Sequence, residues 1–425
     1  MLDLTHKSVA VLGAGRSGRA AARLAEHCGA EVTIYDSGEV EGAVRATPES
    51  GRGVCVDLVV VSPGIETGGD FVQAFCEGSG ELWGETELAW RCFPGKTIAI
   101  TGTNGKTTTT ELIRDLVEAT GRTCVACGNY GVPLSEVVLY EEVPEVISLE
   151  VSSFQLETMV DFKPDAVVWL NFSADHMDRY RSLQEYLEAK LHIFDNITPE
   201  TPVVVRKGSP VPDCGKVITF SSEEEADWSL DGDLILCHGE PFLAMEATRL
   251  RGLHNAENLM AACAVVDGLD PDTAQRCLEK YSPPEHRCEL VAIIDGVEYL
   301  NDSKATNLHA LESALRSQLR PTLLIAGGKE KGLDYRPLLP LLEKHARMAV
   351  TFGQIGPALA ALFAEKIPTC AVTTLDEAVA VAAREAVAGE TVLFSPGTSS
   401  FDQFKGYQER GLAFKKAVPR LTRTL

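Results

Sequence analysis

The run Ile98-Ala99-Ile100-Thr101-Gly102-Thr103-Asn104-Gly105-Lys106-Thr107-Thr108 limits the fold of this chain more than any other segment. A β-branched strand empties into a glycine-rich turn, and a Lys-Thr pair opens a helix directly after it. Strand, tight loop and crossover helix are the repeating unit of a parallel α/β sheet. Backbone N–H groups in such a turn can cradle phosphate, Lys106 adds a mobile positive charge, and the Thr107 hydroxyl can reach Mg²⁺. The spacing is one residue short of the usual pattern, whose first glycine would fall at Ile100. The plainer alternative is a glycine-rich turn carrying an ordinary surface lysine.

At 425 residues the chain exceeds one typical core, so two or three domains are expected. A formal charge of −22 argues against broad nucleic-acid binding, although a few lysines in a cleft can still hold a small anion. Met1 to Lys7 shows neither an apolar signal segment nor a cleavage pattern, and no run is long enough to span a membrane. A cytoplasmic protein with no membrane insertion is expected. The 12 cysteines are scattered through apolar or helical contexts, and Cys124 and Cys127 have no matching second pair for zinc.

Three α/β domains in series are the simplest organisation. In the first, a strand at Ser8–Leu12 leads into Gly13-Ala14-Gly15-Arg16-Ser17-Gly18 and an Ala-rich helix; further strands end at Asp36-Ser37 and Ser62-Pro63-Gly64. Phe93-Pro94-Gly95 reads as a junction. The second domain carries the Lys106 loop, strands over 145–149 and 166–170, and a helix opened at Ser182 with Glu185 completing a capping box. A β-rich excursion runs from Pro202 to Phe242, and a helix follows near Gly252. Tyr281-Ser282-Pro283-Pro284 reads as the second junction, and the last domain has strands at 322–326, 348–352 and 391–394. The expected domains are 1–93, 94–284 and 285–425.

Several residues stand where ligands bind in open α/β sheets. Gly13 to Gly18 satisfies G-x-G-x-x-G, with Asp36 near the offset for a ribose hydroxyl; this suits NAD, FAD or another nucleotide, or a turn serving packing alone. Glu150 follows an apolar strand and could offer oxygen to Mg²⁺ beside a bound triphosphate. Ser153 and Gln155 could hydrogen-bond an amide-bearing substrate. His176, in a polar acid-rich loop, could bind a divalent cation or orient a substrate oxygen. Lys190 lies on a mostly apolar helix, where lysines ordinarily snorkel. Asn255 and Asn258 share a helical face. Lys304, Lys331 and the Ser/Thr cluster at 395–402 could hold a dianionic substrate, unless they are separate solvated loops. A ligase would use all of these, because ATP chemistry must be coupled to two further substrates.

These segments resemble the Mur ligase family over essentially the full length. The general signals are Gly102 to Thr108 and Leu253-His254-Asn255. More specific to the D-glutamate-adding branch are Ser152 to Glu157, Asp175-His176-Met177-Asp178-Arg179-Tyr180, Asp302 to Asn307 and Ser400-Phe401-Asp402-Gln403-Phe404. The resemblance demotes NAD and implies a Rossmann-like first domain for the UDP end of the substrate, with Gly15, Arg16, Ser17, Asp36 and Ser37 in its loops. It implies a central ATPase domain and a Rossmann-like last domain for the incoming amino acid. The implied reaction joins D-glutamate to UDP-N-acetylmuramoyl-L-alanine through an acyl phosphate and a tetrahedral intermediate, releasing ADP and phosphate, in a monomer. The implied alternatives are another Mur member, a folylpolyglutamate synthase-like amide ligase, or a nucleotide-binding module without catalysis.

The resemblance also distributes roles. Gly102, Thr103, Asn104, Gly105, Lys106, Thr107 and Thr108 take ATP, and Thr107, Glu150, His176 and a carbamylated Lys190 surround two Mg²⁺ ions. Asn129 contacts the muramoyl substrate with Ser153 and Gln155. Asn255, Asn258, His286, Arg287 and Asp302 fall on the nucleotide side. Lys304, Thr306, Lys331, Ser400, Phe401 and Tyr407 form the D-glutamate pocket, with Lys331 favoured by register over Lys329. An acyl phosphate hydrolyses in water, so such a ligase must seal its cleft. A nonhydrolysable ATP analogue should therefore make the small-angle scattering profile more compact; an identical profile with and without it counts against closure.

Overall fold

The computed structural model describes residues 2–177, 179–282, 285–318 and 320–419. Asp178 of the acidic loop and Pro283-Pro284 of the second expected junction lie outside them. The chain divides into two compact units: one runs to Ala244 and includes Glu257–Leu278, the other holds Met245–Ala256 and continues from Glu279.

The first unit contains two sheets. One has five parallel strands in the order Val44–Arg45, Glu31–Asp36, Ser8–Leu12, Leu58–Val61 and Glu81–Gly84. Every residue of Leu58–Val61 is buried, as a strand covered on both faces requires. The helix Arg16–His27 packs on this sheet through Gly18, Ala20, Ala21, Leu24 and Ala25, whose small side chains let it lie close. The other sheet has nine strands. Within it Lys96–Thr101 is flanked by Val146–Glu150 and then the edge strand Cys124–Gly128 on one side and by Ala166–Trp169 on the other, all parallel. The β-rich excursion extends this sheet: Pro202–Arg206 and Lys216–Ser221 continue the parallel run, and Trp228–Asp231, Leu234–Cys237 and Glu240–Ala244 finish it, the last two antiparallel.

The second unit has one six-stranded sheet, in the order Glu289–Ile294, Val297–Asn301, Thr391–Phe394, Thr322–Gly327, Ala346–Phe352 and Thr369–Ala371. Its first pair is an antiparallel hairpin that the sequence reading passed over, although Asp295-Gly296 between two apolar runs is a hairpin signal. Both turn residues adopt positive φ, at 50° and 79°. The expected capping box at Ser182 is only half present. The Ser182 hydroxyl accepts from Glu185 N, but the Glu185 carboxylate accepts from Arg181 N instead of reaching back to Ser182.

In each sheet the strand order reverses around one central strand: Ser8–Leu12, Lys96–Thr101 and Thr322–Gly327. Reversal splays the following loops apart and opens a crevice at the carboxyl ends of the strands. The glycine-rich segments 13–18, 102–105 and 327–328 all follow these central strands. Among the described residues no helix is long and apolar enough to cross a membrane.

The third glycine of the first loop has a steric reason. A Cβ on Gly18 would lie 1.8 Å from the Gly13 carbonyl oxygen and 2.8 Å from Ser62 Oγ. Gly18→Ala should thus force the helix off the sheet and cost about 1–3 kcal/mol or more, read as an earlier thermal transition; an unchanged melting profile would contradict this packing.

Candidate active site

The phosphate-type loop is held by backbone geometry and by one side chain. Gly102 has φ 151°, and a Cβ there would meet Leu170 Cβ at 2.9 Å. Gly105 has φ 83°, caps the helix Lys106–Ala119 and faces Asn258, whose Oδ1 would be 2.2 Å from an added Cβ. Asn258 Oδ1 also accepts from Thr109 Oγ1 at 3.3 Å, so this amide props the loop and the first turns of the helix. Asn171 follows the neighbouring strand. Its Oδ1 accepts from Thr103 N and Asn104 N at 3.1 and 2.8 Å, and its Nδ2 donates to Asn104 O. Thr107 and Thr108 are buried in the first helical turn, where the helix dipole favours negative charge.

Two lysines converge on this loop. Lys106 Nζ donates to the carbonyls of Gly102 and Thr103, each at 3.0 Å, and Lys190 Nζ donates to the same Gly102 carbonyl at 2.9 Å. Lys190 is 1% exposed. Burial and the Lys106 charge hold its amine well below the usual lysine range, against the opposing pull of Asp175 and Glu150. The Tyr186 ring lies 5.0 Å from Lys190 Nζ and 5.9 Å from the His176 ring. His176 has a positive φ of 56° and a half-exposed side chain.

Glu150 is the last residue of its strand, not the one after it, and is buried. Its Oε1 accepts from Asn129 Nδ2 at 2.8 Å, while Oε2 is buried with no hydrogen-bond partner among the described residues. An unmatched buried carboxylate oxygen is costly unless a cation joins it. Among the described residues no three or more His, Cys, Asp or Glu side chains form a metal-holding group. The open Glu150 oxygen suits Mg²⁺, which takes one or two carboxylates and completes its shell with phosphate oxygens and water.

A cleft of about 580 Å³ joins the first loop to this region, lined by Gly13, Gly15, Arg16, Ser17, Asp36, Ser37, Ser62 to Ile65, Phe71, Gly128, Asn129 and Gln155. Residues expected at the two ends of one substrate therefore share a single wall. Asp36 is already engaged: its two oxygens accept from Ala14 N and Gly38 N at 2.8 and 2.9 Å, and these bonds lower its pKa. Arg16 donates to Gly131 O at 2.9 Å. Gln155 closes a capping box with Ser152 and donates to Thr86 Oγ1 at 3.0 Å, and Ser153 is buried beside it. The Gln155 amide is thus a fixed part of the wall.

In the second unit the strand ends gather a comparable set. Burial pushes the Asp302 carboxyl up to about 6, although Ser395 Oγ and Cys288 N both donate to it, at 2.7 and 3.2 Å. Lys331 Nζ reaches Thr306 O at 3.4 Å, whereas Lys329 is fixed through its backbone to Ser399 O and Thr398 Oγ1. Lys304 and Arg287 are partly exposed, Ser400 is buried, Phe401 is 65% exposed, and Tyr407 opens the helix Tyr407–Ala417. His286 lies inside, at φ 68°, with Nδ1 3.0 Å from Asn301 Nδ2 and its ring where a side chain on Gly411 would stand. Asn255 donates to Arg251 O, just before its own helix.

Sequence reasoning assigned no role to Asn171, although an amide directly after a buried strand in an α/β sheet is a positional signal. It also passed over Arg410, which is fully buried and donates to Ser303 Oγ, Ser303 O and Thr398 O at 2.8–3.0 Å. In sequence Arg410 reads as a surface residue of a charged helix.

Comparison with known proteins agrees with this architecture. The Mur ligase middle domain matches residues 100–266, and the Mur ligase glutamate ligase domain matches residues 286–397. A Chlorobium chlorochromatii protein named UDP-N-acetylmuramoylalanine–D-glutamate ligase is 36% identical, covering 98% of this chain and 99% of its own. The Geobacter metallireducens protein of the same name is 37% identical over 99% of each. Among solved structures, MurF ligase from Thermotoga maritima in complex with ADP aligns with a TM-score of 0.59 at 17% identity, covering 98% of this chain and 96% of that one. UDP-N-acetylmuramate-alanine ligase MurC from Thermotoga maritima also gives 0.59, at 17% identity and 99% and 100% coverage. The two structures share the fold, and the relatives share the sequence from end to end: the chain belongs to the Mur ligase family.

Proposed function

We propose that this chain is an ATP-dependent amide ligase that adds D-glutamate to UDP-N-acetylmuramoyl-L-alanine in peptidoglycan precursor synthesis. The observation that carries the phosphoryl-transfer half is the convergence of Lys106 and Lys190 on the Gly102 carbonyl, near a buried Glu150 with one unmatched oxygen. The choice of D-glutamate is supported by the full-length relatives of that name.

Residues 1–93 would take the UDP end of the substrate, 94–284 ATP and 285–425 the amino acid, in a monomer working in the cytoplasm. A carboxylate oxygen of the L-alanyl group attacks the γ-phosphorus of ATP, and ADP leaves. The D-glutamate amine then adds to the acyl-phosphate carbonyl and loses a proton; the tetrahedral intermediate expels phosphate and leaves the amide. The protein's part is alignment and charge neutralisation. Lys106 meets the charge on the transferring phosphoryl oxygens, and the 102–108 loop fixes the nucleotide. Asn129 and the cleft wall orient the muramoyl end. Lys304, Lys331, Thr306, Ser400, Phe401 and Tyr407 enclose the dicarboxylate, while Asn255, Asn258, Arg287 and Asp302 serve the nucleotide and His286 braces their loop from inside.

Thr107, Glu150, His176 and a carbamylated Lys190 would hold Mg²⁺, which neutralises and aligns phosphate oxygens when bound. Carbamylation requires a neutral amine, whose lone pair attacks CO₂ and whose proton is then released. Burial beside Lys106 lowers the basicity of Lys190 and so favours that form. The product is an anion in place of a buried amine.

Three tests follow from this reading. Phosphate release with Mg²⁺-ATP and UDP-N-acetylmuramoyl-L-alanine should depend on D-glutamate and be silent with L-glutamate, L-lysine or meso-diaminopimelate; turnover with another amino acid moves the chain to a sister activity. Lys190→Ala should lower kcat by about 10²-fold or more, and CO₂-free buffer should depress the wild-type rate until bicarbonate is added. Because burial sets the Asp302 carboxyl at about 6, KM for ATP should rise as pH falls through that value, from loss of the charged acceptor. Asp302→Asn should hold KM high at every pH; a flat wild-type profile removes Asp302 from the nucleotide site.

A further inference from the structure

Phe154, Glu157, Arg179 and Tyr180 belong to the family-like segments, yet the chemistry above uses none of them. They meet at one carboxylate. Glu157 Oε2 accepts from Arg179 Nη2 at 2.9 Å and from Thr67 Oγ1 at 2.9 Å, and Oε1 accepts from the Tyr180 hydroxyl at 2.6 Å. The Arg179 and Glu157 side chains are largely shielded from water, so this is not an ordinary surface ion pair. Arg179 also lies over the Phe154 ring at 4.4 Å, Tyr180 stacks on that ring at 5.9 Å, and His176 meets it edge-on at 4.9 Å. The His176 carbonyl accepts from Arg179 N and Tyr180 N, each at 3.0 Å, so the left-handed residue and both anchors form one turn.

Thr67 belongs to a different part of the same unit. It stands in the loop after Leu58–Val61, which supplies Ser62, Pro63, Gly64 and Ile65 to the cleft wall. One carboxylate therefore fastens two loops, one bordering the cleft and one bearing His176. Among the described residues neither loop has a regular element to hold it there.

We propose that Glu157 is a positioning residue that couples the filling of the substrate cleft to the placement of the His176 imidazole, through Thr67 on one side and Arg179 with Tyr180 on the other. The nature of the cleft's ligand rests on the proposed function; the placement of His176 does not. Without the carboxylate, Arg179 and Tyr180 lose their acceptor and the turn loses its grip on the Phe154 ring.

The test is the imidazole C–H resonances of His176 in the full chain, identified by their loss in His176→Gln. The Phe154 ring displaces them in the wild type. In Glu157→Ala they should move to the position of an exposed histidine, and kcat should fall about tenfold or more. Glu157→Gln keeps the shape and one acceptor and should lie between. UDP-N-acetylmuramoyl-L-alanine should shift the His176 resonances in wild type and leave them still in Thr67→Val, although that variant binds the ligand. Unmoved resonances in folded Glu157→Ala, no response in wild type, or an equal response in Thr67→Val each overturn the proposal. A wild type that responds in this way yet releases no phosphate with D-glutamate would leave the coupling in place and remove the ligase reading.

Discussion

The chemistry of the first unit depends on one backbone oxygen, the Gly102 carbonyl, which accepts from both Lys106 and Lys190. Two ammonium groups on one acceptor repel each other, and the repulsion is strong where water is excluded. Lys106 is partly exposed, so water reaches it. Lys190 is enclosed, so its charge is the one suppressed. The loop thus holds two lysines of unequal basicity, the enclosed one the weaker base. The arrangement exists only because residue 102 has no side chain: its φ and the approach of Leu170 leave no space for one.

Sheet topology explains why such loops stand where they do. A glycine turn after an edge strand would face a neighbour on one side only. After Lys96–Thr101 the turn is flanked by Glu150 at the end of one neighbour and by Asn171 just past the other. The flanking carboxylate is left with an unmatched oxygen, and the flanking amide binds the loop's own N–H groups. Charge demand and loop shape are therefore set by two adjacent strands, and neither can be changed without moving the sheet.

The α/β class and most strands were legible because β-branched runs ending in glycine have few alternatives. The loops at Gly13, Gly102 and Gly327 were legible for the same reason. What escaped was set by distance along the chain. Glu157 takes its meaning from Thr67, 90 residues away, and from Tyr180, 23 away. Asn171 acts on a loop 67 to 68 residues earlier. Lys190 looked like a snorkelling lysine, because periodicity reports which face of a helix is apolar and not which distant segments cover it. Family resemblance alone singled it out. At Gln155 the sequence suggested a substrate contact; the residue does line the cleft, and its side chain also closes a capping box with Ser152.

Arg410 carries the same lesson into the second unit. Burial lowers its pKa to about 10, so it remains charged at neutral pH, yet its hydrogen bonds go to carbonyls and a hydroxyl and not to a carboxylate. Burying a guanidinium on neutral acceptors costs stability unless the acceptors themselves gain order. Here they do: Ser303 and Thr398 belong to two loops that flank the proposed amino-acid pocket, and Thr398 in turn binds the Lys329 carbonyl. The guanidinium fork fixes three loop segments whose side chains must meet a dianion. A preorganised pocket avoids reorganisation when that charge arrives, and the charges of Asp402 and Asp302 nearby help to hold the cation in the interior.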